Sequence, residues 1–363
     1  MAVTRTEVLE AFRWILGRTP ENEDAIQWHL RHQDVLALRL SLMASEEFRL
    51  SYGRSITLPN PKMLLVTTTL AAWMLDLDSG RAFQIDAGRG AYCGATFDKD
   101  RIYLACRQAS YGAERETQAN TIICLDRKLR LTGLIQAPRP IRDVHQILYH
   151  RGELFVCSTY DDCVFIHNFA TGGWKFWLPF GPGNTSLRDL HHINSVFVND
   201  EIISLAGCKP QGWIATFDRK GKLLDEGKRE LGNMTHNVWP TEHGTFVCSS
   251  GEGAILSTSG ARLMVNPRGW LRGVCRVGDQ LYVGITQELH RSARSAADCS
   301  VVEVDAQGHI TRCYSFLGYG MISDIRTLNE ADPVHNEEIF SLEPGAIDDR
   351  FLTYETRGTL IDL

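Results

Sequence analysis

Two patterns of apolar and polar positions meet near residue 60. Before it, apolar residues recur at helical spacing. Val8, Phe12, Ile15 and Leu16 share one face of a first helix, as a period of 3.6 requires. In LGRTPENED, Thr19 is placed to cap a second helix starting at Pro20, with Glu21, Glu23 and Asp24 in its first turn, where the helix dipole favours acid. Ile26 and Leu30 continue that helix. A third run, DVLALRLSLMASEEF, offers Leu36, Leu38, Leu40 and Met43 for packing, and Ser45 caps a last short turn carrying Phe48 and Leu50. These elements form a small helical domain over 1–54, followed by the linker SITLPNPK (55–62), which has two prolines and no helical period.

Beyond the linker the pattern becomes short apolar strands in pairs. A unit repeats at intervals of roughly 35–50 residues, the range of propeller blades. Its instances are AYCGATFDKDRIYLACR (91–107), DVHQILYHRGELFVCST (143–159), LHHINSVFVNDEIISLAG (190–207), THNVWPTEHGTFVCSS (235–250) and LRGVCRVGDQLYVGIT (271–286). Each holds a hairpin signal (DKD, HRG, VND, EHG, VGD) between two apolar strands. Outer hairpins around DRK, ATGG, DRKG, SG and DAQG lie between the units. Four strands per repeat is the blade pattern. The segment GMISDIRTL (320–328) reads as a sixth innermost strand whose partners, MLLVTTT, AAWMLDLDSG and RAFQID, open the domain. Closing the ring with strands from both ends hides two sheet edges. The fold class is therefore mainly β, a six-bladed β-propeller over 60–328, with a small N-terminal α-helical domain and a C-terminal tail over 329–363.

Composition is that of an ordinary globular protein, 44% hydrophobic and 23% charged. The net charge of −6 gives no general attraction to nucleic acid. No apolar run reaches the ~18 residues of a membrane span, and the first residues lack a signal peptide's continuous apolar stretch. Ten cysteines show no CxxC pair, and Cys106, Cys157, Cys248 and Cys275 sit in apolar strands. They read as reduced core thiols, which makes a cytoplasmic location the expectation.

The innermost strand of each blade lines the axis, so equivalent residues near its start surround one mouth. Aligning the repeats on their hairpins brings together Cys93, His145, His192, His236, Arg272 and either Ser323 or Asp324, with Asn194 and Asn237 as further inward candidates. Three imidazoles on three blades are a ligand set for a divalent metal such as Zn, Mn or Fe. Arg272 can take a carboxylate or phosphate in a bidentate fork, and Asp324 can act as base or orient a histidine. Trp239 and Trp270 lie close in sequence to His236 and Arg272 and suit stacking on a ligand. Asp143 and Asp189 precede the histidine motifs and can brace an imidazole or form interblade ion pairs. His150, His167, His243, His290 and His309 fall at turns or outer strands and read as surface residues. No Walker loop or dinucleotide fingerprint is present.

The ordered pieces DVHQILYHRGELFVCSTYDDCV, LHHINSVFV, THNVW, RGWLRGVCRVGDQLYVGIT and SVVEVDAQGHI resemble an uncharacterised bacterial family of six-bladed propellers. The resemblance spans roughly 140–327 and is matched at His145, His192, Asn194, His236, Arg272 and Gly273. It is more distant to propeller lyases, some of which bind a divalent metal through axial histidines and act on polysaccharides or cyclic esters. The N-terminal pieces FRWILGRTPENEDAIQWHL and ASEEFR resemble a short helical module fused to methyltransferases and glycosyltransferases of surface-glycan clusters. The bacterial propeller family supplies no activity of its own, and the axial residues beside these resemblances give the expectation of an enzyme acting at the axial mouth on a carbohydrate or secondary metabolite, as a lyase or epimerase assisted by a metal at His145, His192 and His236. Its catalytic set would be those histidines with Arg272 and Asp324. Its substrate contacts would be Cys93, Asn194, Asn237, Trp239 and Trp270. The competing expectations are a non-catalytic binding or scaffolding propeller, with a protein partner docked through the helical domain, and a histidine-ligated metal oxygenase.

Overall fold

A computed structural model describes residues 3–356, apart from positions 17, 44, 46, 48–61, 108–114, 116–117, 119, 182–187 and 337. The chain divides into two compact units, Met1–Pro61 and Lys62–Leu363.

The first unit contains α1 (Arg5–Leu16), α2 (Glu23–His29) and α3 (Val35–Met43). Val8, Phe12, Leu16, Ile26, Leu38 and Leu42 form its core. The second helix starts later than Thr19 and Pro20 suggested. Asn22 is its cap and accepts from Ala25 N at 2.9 Å. An Asx cap satisfies an otherwise unpaired first-turn N–H, and that fixes the start. Phe48, Leu50 and the linker up to residue 61 lie outside the described residues, as do the side chains of Leu36, Leu40 and Met43.

The second unit is a six-bladed propeller. Blade I joins β1 (Met63–Thr68), β2 (Ala71–Asp76) and β3 (Arg81–Ala87) to β24 (Ile322–Leu328) and β25 (Leu352–Glu355), in the order β24-β1-β2-β3-β25. Blade II holds β4 (Ala91–Phe97), β5 (Arg101–Arg107), β6 (Thr121–Asp126) and β7 (Leu131–Ile135). Blade III holds β8 (Val144–His150), β9 (Glu153–Ser158), β10 (Cys163–Asn168) and β11 (Trp174–Trp177). Blade IV holds β12 (Ile193–Val198), β13 (Ile202–Gly207), β14 (Trp213–Asp218) and β15 (Leu223–Asp225). Blade V holds β16 (Thr235–Thr241), β17 (Gly244–Ser249), β18 (Ala254–Ser257) and β19 (Arg262–Met264). Blade VI holds β20 (Gly269–Val277), β21 (Gln280–Gln287), β22 (Cys299–Val304) and β23 (Ile310–Phe316).

The ring closes as the repeat predicts. Strand β24 pairs antiparallel with β1, from Met63 opposite Leu328 to Thr68 opposite Ile322. The residues after 328 do more than trail. Strand β25 adds a fifth strand to blade I, against β3. Before it, the chain crosses the hairpin end of the inner strands. Asp332 accepts from Arg276 N at 3.2 Å and Asn336 Nδ2 donates to Val198 O at 3.2 Å. Val334 and Phe340 are buried there among blade residues. This segment carries no strand repeat because it is anchored by separate apolar side chains.

All ten cysteines are unpaired, nine of them buried. His150 departs from the surface reading: it is 8% exposed, with Nε2 3.2 Å from Asp200 Oδ1. The strand end that carries it packs under the neighbouring blade's hairpin. Among the described residues, no helix is long and apolar enough to cross a membrane.

Candidate functional site

Each innermost strand contains a β-bulge at the same place. One extra residue is inserted between Tyr92 and Gly94, Val144 and Ile147, Ile193 and Ser195, His236 and Val238, Leu271 and Val274, and Ile322 and Asp324. A bulge re-aims side chains locally. Six bulges in register make two stacked rings around the axis. Cys93, His145, Asn194, His236, Arg272 and Ser323 occupy the upper ring. Gly94, Gln146, Ser195, Asn237, Gly273 and Asp324 occupy the lower one.

The lower ring latches blades together. Gln146 Oε1 accepts from Val196 N at 2.9 Å, Ser195 Oγ from Asn237 N at 2.7 Å, Asn237 Oδ1 from Gly273 N at 3.0 Å, and Asp324 Oδ2 from Ala95 N at 3.2 Å. Each is a side chain of one blade holding a backbone N–H of the next. Gly94 is required here, since a Cβ would lie 2.6 Å from His145 O. Beneath the latch, Arg326 is fully buried and reaches across the axis. Its guanidinium donates to Asp324 Oδ2 at 2.7 Å and to Ile147 O of blade III at 3.1 Å. The upper ring therefore lines a recess with a floor. It leaves a volume of about 10 Å³, room for about one water, and it opens at the mouth above the upper ring.

This geometry redistributes the expected residues. Cys93, His145, Asn194, Asn237, His236 and Arg272 all line the recess, joined by Gln146, Ser195 and Ser323. Asp324 instead belongs to the latch: it is 1% exposed, bonded to Arg326, Ala95 N and Ile325 N. The bulge puts Ser323 at the axis and turns Asp324 to the neighbouring blade. His192 is two residues before its blade's ring position, which Asn194 fills. It sits with φ +56°, as Asp143 (φ +50°) and Met234 (φ +54°) do two residues before His145 and His236. Its imidazole still packs edge-on against His145, with ring centroids 5.4 Å apart. Trp239 points away from the mouth, 6% exposed and stacked on Phe246 in the interblade core. Trp270 lies under Arg294, 4.7 Å from guanidinium carbon to ring centre, and does not line the recess.

Two histidines are held by the same device. The Thr159 hydroxyl donates to Ile193 O at 2.7 Å, so its oxygen accepts from His145 Nδ1 at 2.9 Å. Ser250 donates to Leu271 O at 2.6 Å and accepts from His236 Nδ1 at 2.9 Å. The left-handed residues Asp143 and Met234 turn their carbonyls onto the same nitrogens, at 3.0 and 2.7 Å. Both imidazoles thus carry hydrogen on Nδ1 and a lone pair on Nε2. Burial, then the cations Arg272 and Arg107, then His192 hold His145 well below the usual histidine range. Burial, Arg272, His145 and His192 do the same for His236. A depressed folded-state value means that these groups contribute stability at neutral pH that fades as pH falls below about 6.5.

His236 Nε2 accepts a hydrogen bond from Arg272. Arg272 is 8% exposed, its Nε has no hydrogen-bond partner, and no carboxylate among the described residues pairs with it. The neighbouring cations are paired. Asp143 pairs with Arg107 at 2.6 Å and Arg115 at 3.3 Å, while Asp189 pairs with Arg115, Lys209 and His192 Nδ1, the last at 2.6 Å. Arg142 and Arg188 turn instead to Asp161. Among the described residues, four cations (Arg107, Arg115, Lys209, Arg272) thus face two carboxylates, Asp143 and Asp189, in a chain whose net charge is −6.

The donors do not suit one shared divalent metal. His236 offers its Nε2 to a guanidinium, and no group of three or more His, Cys, Asp or Glu among the described residues is arranged to hold an ion. Burial also raises the pKa of Cys93, which keeps it a thiol.

Asp189 gives a direct test of this electrostatic arrangement. Burial raises its pKa, but the hydrogen bond and charge of His192, with Lys209, outweigh that and hold it at about 2. The carboxylate therefore contributes stability above about pH 4 that is lost as pH falls through about 2. Acid titration of unfolding should show a loss of about 2 kcal/mol across that window in the wild type, and Asp189→Asn should remove this component. Superimposable acid limbs for the two proteins would refute the assignment.

No family model and no curated protein matches the chain. Solved structures do. A chain of a nidogen/laminin complex is 14% identical with a TM-score of 0.51, over 73% of this chain and 98% of that one. Two proteins proposed to be 6-phosphogluconolactonases are 9% and 10% identical with TM-scores of 0.49. The first, from Bacteroides fragilis, matches over 75% of this chain and 99% of its own. The second, from Bacteroides uniformis, matches over 74% and 100%. At 14% identity, the likeness to the chain of the nidogen/laminin complex is one of fold alone.

Proposed function

We propose that the mouth of the axial recess binds the carboxylate of a small metabolite, a sugar acid or a related compound, and removes a proton from the carbon beside it, as a lyase or epimerase does. One observation carries the reading: Arg272 is a buried cation with no carboxylate partner among the described residues, on the wall of a recess. A cation in this state favours an anionic ligand, and its planar fork matches a carboxylate. His236 orients the guanidinium through Nε2. His192 is the base. It packs edge-on against His145 of the recess wall, and Asp189 holds its Nδ1, as in carboxylate–imidazole dyads, which leaves Nε2 as the basic nitrogen and stabilises the imidazolium formed. Arg272 stabilises the enolate charge that develops on the carboxylate.

The test is solvent-deuterium exchange. The full chain, incubated in D2O with a panel of chiral carboxylates, should label the α-carbon of at least one as read by NMR. His192→Gln should slow labelling by about 10²–10⁴-fold, the usual worth of a general base, while leaving ligand binding within a few-fold. Binding without exchange in the wild type would overturn the catalytic reading in favour of a binding propeller.

A further inference from the structure

The N-terminal unit carries two facing imidazoles that the axial mouth does not use. We infer that His29 and His32 form a site for a divalent transition metal in tetrahedral geometry, of the kind zinc adopts, with His29 Nδ1 and His32 Nε2 as its protein ligands. The inference concerns the N-terminal unit alone and does not depend on the reading of the axial mouth.

His29 closes α2, and the chain turns once more beyond it, with His32 N donating to His29 O at 3.3 Å. Side chains three residues apart on a helical turn lie on one face. Here the ring planes are 28° apart with centroids 5.5 Å apart. His29 Nδ1 and His32 Nε2 face each other at 3.4 Å. That separation exceeds the ~2.7–3.2 Å of an ordinary N–H hydrogen bond. It equals the span of two ligands on one tetrahedral ion, since bonds of about 2.0–2.1 Å at that angle put the nitrogens about 3.3–3.4 Å apart. A right-angled pair, as in the tetragonal sites that copper prefers, would bring them to about 2.8–3.0 Å at the same bond lengths.

The surroundings suit this use. Trp28 stands edge-on to both imidazoles, with centroids 4.9 Å from His29 and 5.8 Å from His32, and Phe12 stands edge-on to His29 at 5.1 Å. Ring packing therefore fixes the pair. Burial, then the charge of His32, hold His29 below the usual histidine range against the opposing pull of Glu21, which favours the neutral form that ligates metals. Among the described residues no third His, Cys, Asp or Glu joins the pair. Two tetrahedral positions are thus open to water or to a donor from another molecule, and the ion is held less tightly than in the closed four-ligand sites of structural zinc.

Titration of the chelator-stripped full chain with zinc chloride tests this, read by calorimetry and by NMR of isotope-labelled imidazole nitrogens. Zinc should bind, and the resonances that move should be His29 Nδ1 and His32 Nε2. His29→Gln and His32→Gln should each weaken binding by at least about tenfold, since even an outer-shell partner of a metal costs that much. His243→Gln and His309→Gln remove exposed histidines beside Glu242 and Asp305 and should leave the affinity unchanged. Should a variant at His29 or His32 fail to fold, the wild-type nitrogen shifts still decide. No binding by the wild type, shifts confined to other histidines, or full affinity in the His29→Gln/His32→Gln double variant would overturn the inference.

Discussion

Arg326→Met should destabilise the propeller by about 3–5 kcal/mol, the usual cost of stripping one partner from a buried ion pair, and lower its melting temperature by roughly 5–15 °C. The Asp324 carboxylate is 1% exposed and receives Arg326 Nη2 at 2.7 Å, with Ala95 N and Ile325 N as its other donors. Methionine fills much of the arginine volume, so the effect is electrostatic rather than a cavity. Blade III loses as well, because Ile147 O no longer receives a donor from across the axis. The double variant Arg326→Met/Asp324→Asn should recover part of the loss, since the uncompensated charge is then gone. Differential scanning calorimetry reads both. An unchanged transition in the single variant would show that this cross-axis pair does not hold the ring.

The ring itself was legible in the sequence. Five hairpin signals, five outer turns and a split sixth blade fall where the strands lie, because strand alternation and turn chemistry are local. The axial set was legible only to within the bulges. Histidine matched to histidine placed His192 in the ring, but the extra residue in β12 gives that place to Asn194. The bulge in β24 decides between Ser323 and Asp324, which the sequence left as alternatives, in favour of Ser323. A bulge is set by backbone geometry and leaves no residue signature in these six strands, which hold Cys, His, Asn, His, Arg and Ser at the same point.

One signal could have been read further. The segments LFVCST and TFVCSS recur in the blades that carry His145 and His236, and not in the others. Their last residues are Thr159 and Ser250, the hydroxyls that fix both imidazoles. The repeat therefore encoded a supporting pair as well as a strand. Trp239 and Trp270 show the opposite error. Proximity in sequence to a ring residue placed them at the mouth, whereas alternation along the strand and the length of β16 carry Trp239 into the interblade core. Arg326 gave no warning, as a lone arginine in an apolar strand has no local pattern that predicts a reach across the axis.

Arg272→Met should behave as the reverse of Arg326→Met: carboxylate binding falls by at least about 100-fold, while the melting temperature stays level or rises. Both arginines are buried, but Arg326 has Asp324 as a counter-charge, and no carboxylate among the described residues plays that part for Arg272. Removing a cation that pairs with no buried anion exposes no new uncompensated charge, and the desolvation cost of the guanidinium disappears with it. Binding fares differently, since truncating one partner of a desolvated charged hydrogen bond costs about 2–5 kcal/mol. Arg272→Lys should recover only part of the affinity, because a point charge does not reproduce the fork that a carboxylate meets. Titration with glycerate alongside calorimetric melting of the ligand-free proteins separates the two effects. A large fall in melting temperature for Arg272→Met would mark the residue as part of the ring's structure instead. A gain in stability paired with a loss of binding is the signature of a group retained for its ligand, since stability lost at a functional site is the usual trade.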